Sequence, residues 1–95
     1  MTTAEDTCRA IDIIDKNAWE MASAVLESSE RRSALSSIAR EQRRQLRELA
    51  IKLRDLNAVE YSRRSDQISE ALLDLKFVEA GQGGVSLRLN QRMRG

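Results

Sequence analysis

The sequence predicts an all-α protein, an antiparallel helical hairpin with one long second helix, and three observations lead to this fold class. The 95-residue chain contains no proline, and its four glycines begin only at Gly81. Aromatic residues make up 3% of the chain and charged residues 33%, which excludes a large aromatic-rich core. Apolar residues recur at helical spacing across most of the first eighty positions. A three-helix bundle is the alternative arrangement.

The first helix is predicted to span about residues 4–28. Thr2 with Glu5 fits a capping box that would satisfy free N–H groups at the helix start. A heptad of mostly small side chains then runs through Ala4, Thr7, Ile11, Ile14, Ala18, Met21 and Val25. Trp19 and Leu26 lie seven positions apart on a second face, so this helix is expected to contact two neighbours or a partner protein. Trp19 suits either an interface anchor or the half-buried core of a small bundle.

The second helix is predicted to begin near residue 31, after a short turn at about 28–32 that contains two serines. So short a connection normally makes neighbouring helices antiparallel. A leucine spine then steps by three, four and three residues, which places one apolar stripe along the helix. Its members are Leu46, Leu49, Leu53 and Leu56.

Asn57 decides whether this helix ends or continues to about residue 79. Asn57 with Glu60 fits an N-cap, which would begin a third helix. However, one helical face stays largely apolar through this point, at a period near ~3.6 residues. Its members are Leu49, Leu53, Leu56, Tyr61, Ile68, Leu72 and Leu75. The sequence therefore favours a single helix over about residues 31–79, ~75 Å long at ~1.5 Å per residue.

Charge is distributed unevenly along a chain whose total is +1. Residues 1–30 carry a net charge of −5 and residues 31–56 one of +5, so the first helix is expected to pair with the second. The arginines of the second helix form either a solvated face that meets acidic partners or a basic stripe that binds phosphates. They are Arg40, Arg43, Arg44, Arg47 and Arg54. Interleaved acids and the lack of an aromatic residue in this segment favour the solvated face.

Residues 1–80 are predicted to form a single helical domain and residues 81–95 a flexible basic tail. Gly81 follows the last helical residues and fits a helix C-cap. Apolar and polar residues alternate at the start of segment 85–94, so an alternative is that this segment orders as an edge strand on another molecule.

Several classes of chemistry lack the residues they need. Cys8 is the only cysteine and histidine is absent, so neither an intrachain disulfide nor a metal site is expected. No activated nucleophile and no Gly-rich phosphate loop occurs, so we expect no enzymatic activity, no cofactor and no small-molecule substrate. Apolar runs are too short to span a membrane and the first residues do not form a classical signal peptide, so we expect a soluble, cytoplasmic protein.

These features predict a protein–protein interaction module: a small chaperone, adaptor or assembly factor that self-associates or binds a helical client. A short first helix would cover only half of a long second one, which leaves an apolar strip for a partner or for a second copy in a homodimer. The expected contacts are Trp19, Leu26, Leu53, Leu56, Tyr61, Ile68, Leu72 and Leu75. Over the first eighty residues this outline is similar to the architecture of small secretion chaperones, adaptor subunits and anti-activator proteins of bacteria.

Nucleic-acid binding is the alternative function. It would use the arginines of the second helix, with the arginines of the tail as further contacts to phosphate. The residues are Arg40, Arg43, Arg44, Arg47 and Arg54, followed by Arg88, Arg92 and Arg94.

Overall fold

The computed structural model of the chain describes residues 3–27 and 32–80, with Leu26 and Arg32 described by their backbone alone. Within these ranges the chain forms three α-helices and no strand: α1 (Ala4–Glu27), α2 (Arg32–Leu56) and α3 (Ala58–Ala80). The predicted all-α class is therefore confirmed for this part of the chain. The predictions made for most of the turn at 28–32 and for the tail at 81–95 lie outside the described residues.

The N-terminus of α1 is capped by Thr3. The Oγ1 atom of Thr3 accepts a hydrogen bond from the Asp6 N–H at 3.1 Å. The carbonyl oxygen of Thr3 accepts a second hydrogen bond from the Thr7 hydroxyl at 2.9 Å. A helix start leaves four N–H groups without a partner inside the helix, and the Thr3 side chain satisfies one of them. The helix begins at Ala4, as predicted, and the predicted capping residue, Thr2, lies outside the described residues.

A single residue, Asn57, separates α2 from α3. Its N–H donates to the Leu53 carbonyl oxygen at 2.7 Å and so completes α2, while its own carbonyl oxygen accepts the Tyr61 N–H at 3.0 Å and so begins α3. The Asn57 Oδ1 atom also accepts a hydrogen bond from the Glu60 N–H at 3.1 Å, which is the N-cap that the sequence allowed. The single helix predicted over residues 31–79 is therefore wrong, and the break near residue 57 is confirmed.

The α2 and α3 helices lie antiparallel, and their far ends are joined by a hydrogen bond. Ser36 lies near the start of α2 and Glu79 near the end of α3, and the Ser36 hydroxyl donates to the Glu79 carbonyl oxygen at 2.7 Å. The carbonyl groups of a helix's last turn lack partners inside the helix, so this bond satisfies one of them. The two helices are thus fixed at both ends, at Asn57 and at this contact.

One apolar core connects all three helices. Leu46 and Leu53 of α2 and Leu75 of α3 are fully buried in it, and burying such a side chain contributes ~1.5–3 kcal/mol. Ala18 and Ala22 of α1 are also fully buried, and their small size lets the neighbouring helices approach closely. Most of the heptad predicted for α1 is buried, at Thr7, Ile11, Ile14, Ala18, Met21 and Val25. The inward face of α1 was therefore predicted correctly.

The cap at Asn57 yields a test of the joint between α2 and α3. We expect Asn57→Ala to lower the free energy of unfolding by ~1 kcal/mol, because it removes the acceptor of the Glu60 N–H. Asn57→Asp keeps an acceptor at the same place and should retain most of the stability. Urea denaturation of both variants measures this difference. Equal losses in the two variants would show that the cap does not stabilise the joint.

Candidate functional site: an apolar groove and two polar edges

Three of the predicted partner contacts lie inside the core. Leu53 and Leu75 are fully buried, and Ile68 is buried as well. The expectation that these residues form an exposed strip is wrong, because α3 turns back at Asn57 and covers the strip itself. In this fold their side chains are packed against the chain's own helices and are not presented to a partner.

The remaining predicted contacts lie at the margin of the core or beyond it. Trp19, Tyr61 and Leu72 are half-buried and pack against the core. Leu56, at the end of α2, is 47% exposed. The side chain of Leu26 lies outside the described residues. The fold therefore does not bring the predicted set together on one exposed surface.

An apolar groove between α1 and α2 is a concave feature that the sequence did not reveal. One half encloses about 430 Å³ and is lined by Ala10, Ile13, Ile14, Gln42, Gln45, Glu48, Leu49 and Lys52. The other half encloses about 380 Å³ and is lined by Asn17, Glu20, Met21, Ala24, Leu35, Ile38 and Gln42. Gln42 lines both halves, and the two together are here named the α1–α2 groove.

The α1–α2 groove combines an apolar floor with exposed isoleucines. Ile14 and Met21 form part of the floor and belong to the core, whereas Ile13 is 61% exposed and Ile38 is 49% exposed. The buried Oε1 atom of Gln42 accepts no hydrogen bond from any residue in the described ranges. The groove therefore offers apolar surface and one buried acceptor at its centre. In the sequence, Ile13 and Ile38 stand outside the main apolar stripes, so their shared position becomes visible only after α1 and α2 are packed.

Among the arginines of α2, Arg44 is paired with acidic residues of its own helix. It bonds to two glutamates of its own helix, Glu41 and Glu48, the latter through Nη1 at 2.7 Å. The hydrogen bond from Arg44 lowers the pKa of the Glu41 carboxyl below its usual range. Since Arg44 is occupied by these neighbours, it is a poor candidate for the predicted nucleic-acid contact.

Arg40 and Arg43 lie on the edge of α2 that faces α3. Arg40 Nε lies 3.2 Å from Glu79 Oε1, and Arg43 Nη2 lies 2.9 Å from Glu79 Oε2. Arg47 is exposed and forms no ion pair within the described residues, and Arg54 has only a 4.0 Å contact with Asp55. The expected pairing of these arginines with α1 is wrong for the described residues. The α2 residues that line the groove beside α1 include glutamines, apolar side chains, Glu48 and Lys52, but no arginine.

A polar seam joins α1 to α3, on the opposite side of α1 from the groove. Arg64 Nη1 donates to Asp12 Oδ1 at 2.7 Å, and Arg64 Nε donates to Glu60 Oε1 at 2.9 Å. The amide of Gln67 donates to Asp12 at 2.8 Å and to Asp15 at 3.2 Å. The hydrogen bond to Glu60 is the main cause that raises the pKa of Arg64, and burial opposes it. This polar network aligns α1 on α3.

Two further side chains carry chemistry that the sequence did not locate. Asp74 is fully buried on α3, although carboxylates are ordinarily exposed to solvent. Cys8 is buried in the core beside a cavity of about 290 Å³ that is also lined by Glu60 and Arg64. Burial raises the pKa of the Cys8 thiol, and Arg64 opposes this shift. The neutral thiol is therefore favoured, which agrees with a packing role for Cys8.

Two kinds of site are absent from the described residues. Within 3–27 and 32–80, no three residues among Cys, Asp and Glu are grouped to hold a metal ion. No helix in the same ranges is both long and apolar enough to cross a membrane.

Comparisons with protein-family models, with curated proteins and with solved structures find no match to the chain. The α1–α2 groove and the polar edges are therefore interpreted from their own geometry.

The seam between α1 and α3 yields a test by double-mutant cycle. We expect Asp12→Ala and Arg64→Ala each to lower the free energy of unfolding, with a coupling energy of ~0.5–1 kcal/mol between them. The expected coupling energy is small because the Asp12 side chain is half-exposed and solvent screens the pair. Thermal or urea unfolding of the four proteins measures the coupling. A coupling near zero would mean that the two side chains do not stabilise the packing of α1 on α3.

Burial of Cys8 yields a test by thiol reactivity. At pH 8 we expect a disulfide reagent to react much more slowly with the native protein than with the urea-unfolded chain, because the native thiol is buried and its pKa is raised. As pH rises past the ordinary thiol pKa of 9.0, the unfolded chain loses its proton first. The free energy of unfolding should then fall relative to that of Cys8→Ala. Equal reaction rates in the native and unfolded chains would contradict the burial.

Proposed function

We propose that this protein is an interaction module, a small chaperone, adaptor or assembly factor, that holds an amphipathic helix of a partner protein in the α1–α2 groove. The observation that carries this proposal is the exposed apolar surface at Ile13 and Ile38, set on either side of a groove that two helices form together. Helix-in-groove recognition is a common way for helical proteins to bind peptides, and it needs this kind of apolar trough.

The length of the groove matches a short helix. Its lining on α1 runs from Ala10 to Ala24, which corresponds to ~21 Å at ~1.5 Å per residue. A partner helix of ~14 residues would occupy this length with apolar side chains at positions i, i+4, i+7 and i+11. With α1 and α2 as two walls, the bound helix would add a fourth helix to the three of this chain.

Gln42 adds a polar requirement at the middle of the groove. Its Oε1 atom is buried and accepts no hydrogen bond within the described residues. A buried acceptor that gains a donor is stabilised, whereas a purely apolar side chain placed against it leaves it unsatisfied. We therefore expect the partner helix to carry one donor, such as Ser, Thr, Asn or Gln, near the centre of its apolar face. This donor would set the register of the bound helix.

A separate protein fits the groove better than a second copy of this chain. Outside the groove linings, the other exposed large aliphatic side chains are Ile51, Leu56, Val59 and Leu73. They lie on different turns and polar residues separate them, so no described helix carries an exposed apolar ridge of the length that the groove requires. A partner helix with a continuous apolar face would supply this ridge.

The test selects partner helices without assuming their identity. A display library of helical peptides of ~15 residues is selected on the full chain, and the affinities of selected peptides are measured by fluorescence anisotropy. We expect amphipathic sequences, and we expect Ile13→Lys and Ile38→Lys each to weaken binding by ~10-fold or more. Leu73→Lys is the matched control, since Leu73 is as exposed as Ile13 but lies on α3. It should leave the affinity unchanged.

Two results would overturn the proposal. One is a set of selected peptides that lack an apolar face, or that bind Ile13→Lys and Leu73→Lys equally well. The other comes from light scattering of the free protein: a dimer that Ile13→Lys dissociates would assign the groove to a second copy. Circular dichroism of each variant checks that the helices are retained, which is expected because the substituted side chains are exposed.

A further inference from the structure

A second surface lies on the other edge of α2, where α2 meets α3. The contacts of Ser36 and Arg43 with Glu79 show which edge of α2 faces α3. Arg40, Arg47 and Arg54 repeat every seven residues and so lie along this edge, ~10.5 Å apart at ~1.5 Å per residue. All three are exposed.

Exposed polar residues on the neighbouring edge of α3 recur with the same seven-residue period. Ser62, Ser69 and Lys76 are spaced seven residues apart, and all are exposed. Lys76 lies one turn before Glu79, the residue that contacts α2, so this row borders the arginine row. The two rows together form a surface that we name the arginine–serine face: Arg40, Arg47 and Arg54 of α2 with Ser62, Ser69 and Lys76 of α3.

The arginine–serine face keeps an excess of positive charge. Arg47 and Lys76 form no ion pair within the described residues. Arg54 Nε lies 4.0 Å from Oδ1 of the exposed Asp55. Glu79, near the end of α3, contacts this surface and is shared by Arg40 and Arg43. A surface of this kind attracts polyanions, because the charges of Arg47 and Lys76 are not neutralised by an acidic partner within the described residues.

We propose that the arginine–serine face binds the sugar–phosphate backbone of a double-stranded nucleic acid, without reading its sequence. Arginine and serine both donate hydrogen bonds to phosphate oxygens, and a large share of protein–DNA hydrogen bonds is of this type. The row from Arg40 to Arg54 extends ~21 Å, which equals about six steps of a duplex at ~3.4 Å per step. This proposal uses a different surface from the α1–α2 groove and holds independently of the function proposed for it.

Two features favour a duplex backbone over other polyanions. Unpaired strands are normally held by aromatic side chains that stack on bases, but Tyr61, the aromatic residue near this surface, is half-buried against the core. A membrane surface normally receives an apolar helix face, whereas the α3 row carries hydroxyl groups.

The experiment measures binding of the full chain to a 20-base-pair duplex by fluorescence anisotropy, at a series of salt concentrations. We expect the double variant Arg47→Glu with Arg54→Glu to weaken binding at least ~10-fold at low salt and to reduce the slope of log K against log salt by ~2. The matched control is Lys16→Glu with Arg63→Glu, which changes the net charge equally on exposed positions away from this face. The control should lose much less affinity. The C-terminal arginines are common to all these proteins and cancel in the comparison.

Three outcomes would overturn the proposal. Equal losses in the two double variants would mean that net charge alone decides binding. Unchanged binding by the Arg47 and Arg54 variant would remove the face from the contact. Binding to vesicles that contain ~30% phosphatidylserine, with no binding to the duplex at the same salt concentration, would assign the face to a membrane surface. If charge reversal reduces helicity, the pair Arg47→Gln with Arg54→Gln replaces it, with a change in slope of again ~2, because each lost phosphate contact lowers the slope by ~1.

Discussion

The hydrogen bonds of Asn57 fix the arrangement on which the rest of the molecule depends. One residue ends α2 with its N–H, begins α3 with its carbonyl oxygen and caps α3 with its side chain. No spare chain is left to adjust the angle between the two helices, so α3 returns along α2 and buries the strip that a longer helix would have exposed. The core, the groove and the arginine–serine face all take their positions from this turn.

The sequence predicted the helices better than their arrangement. The apolar stripe of α1 is the buried face, and the cap at Asn57 is present. The sequence wrongly favoured one helix over two because the one-residue joint contains neither glycine nor proline. The apolar period also continues through it, since α2 and α3 turn their apolar faces towards the same core. Pattern alone cannot separate a continuous helix from two helices that share an interior.

The candidate sites were harder to predict because each depends on two helices. Ile13 and Ile38 are 25 positions apart in the sequence, and nothing in either helix pattern links them before α1 and α2 pack. The arginines of α2 were visible, but the choice of which ones are neutralised depends on where Glu79 falls. The sequence pattern could not predict the burial of Asp74 either, because a carboxylate is ordinarily exposed to solvent.

The short joint at Asn57 also limits how this protein can vary. Surface loops usually tolerate insertions and deletions because extra residues are absorbed without moving the elements on either side. Here one added residue would turn α3 by ~100° about its axis relative to α2, since a helix advances ~3.6 residues per turn. The buried side of α3 would then face solvent. Related chains that keep this fold should therefore preserve the number of residues between Leu53 and Tyr61 more strictly than the identity of most residues on the surface.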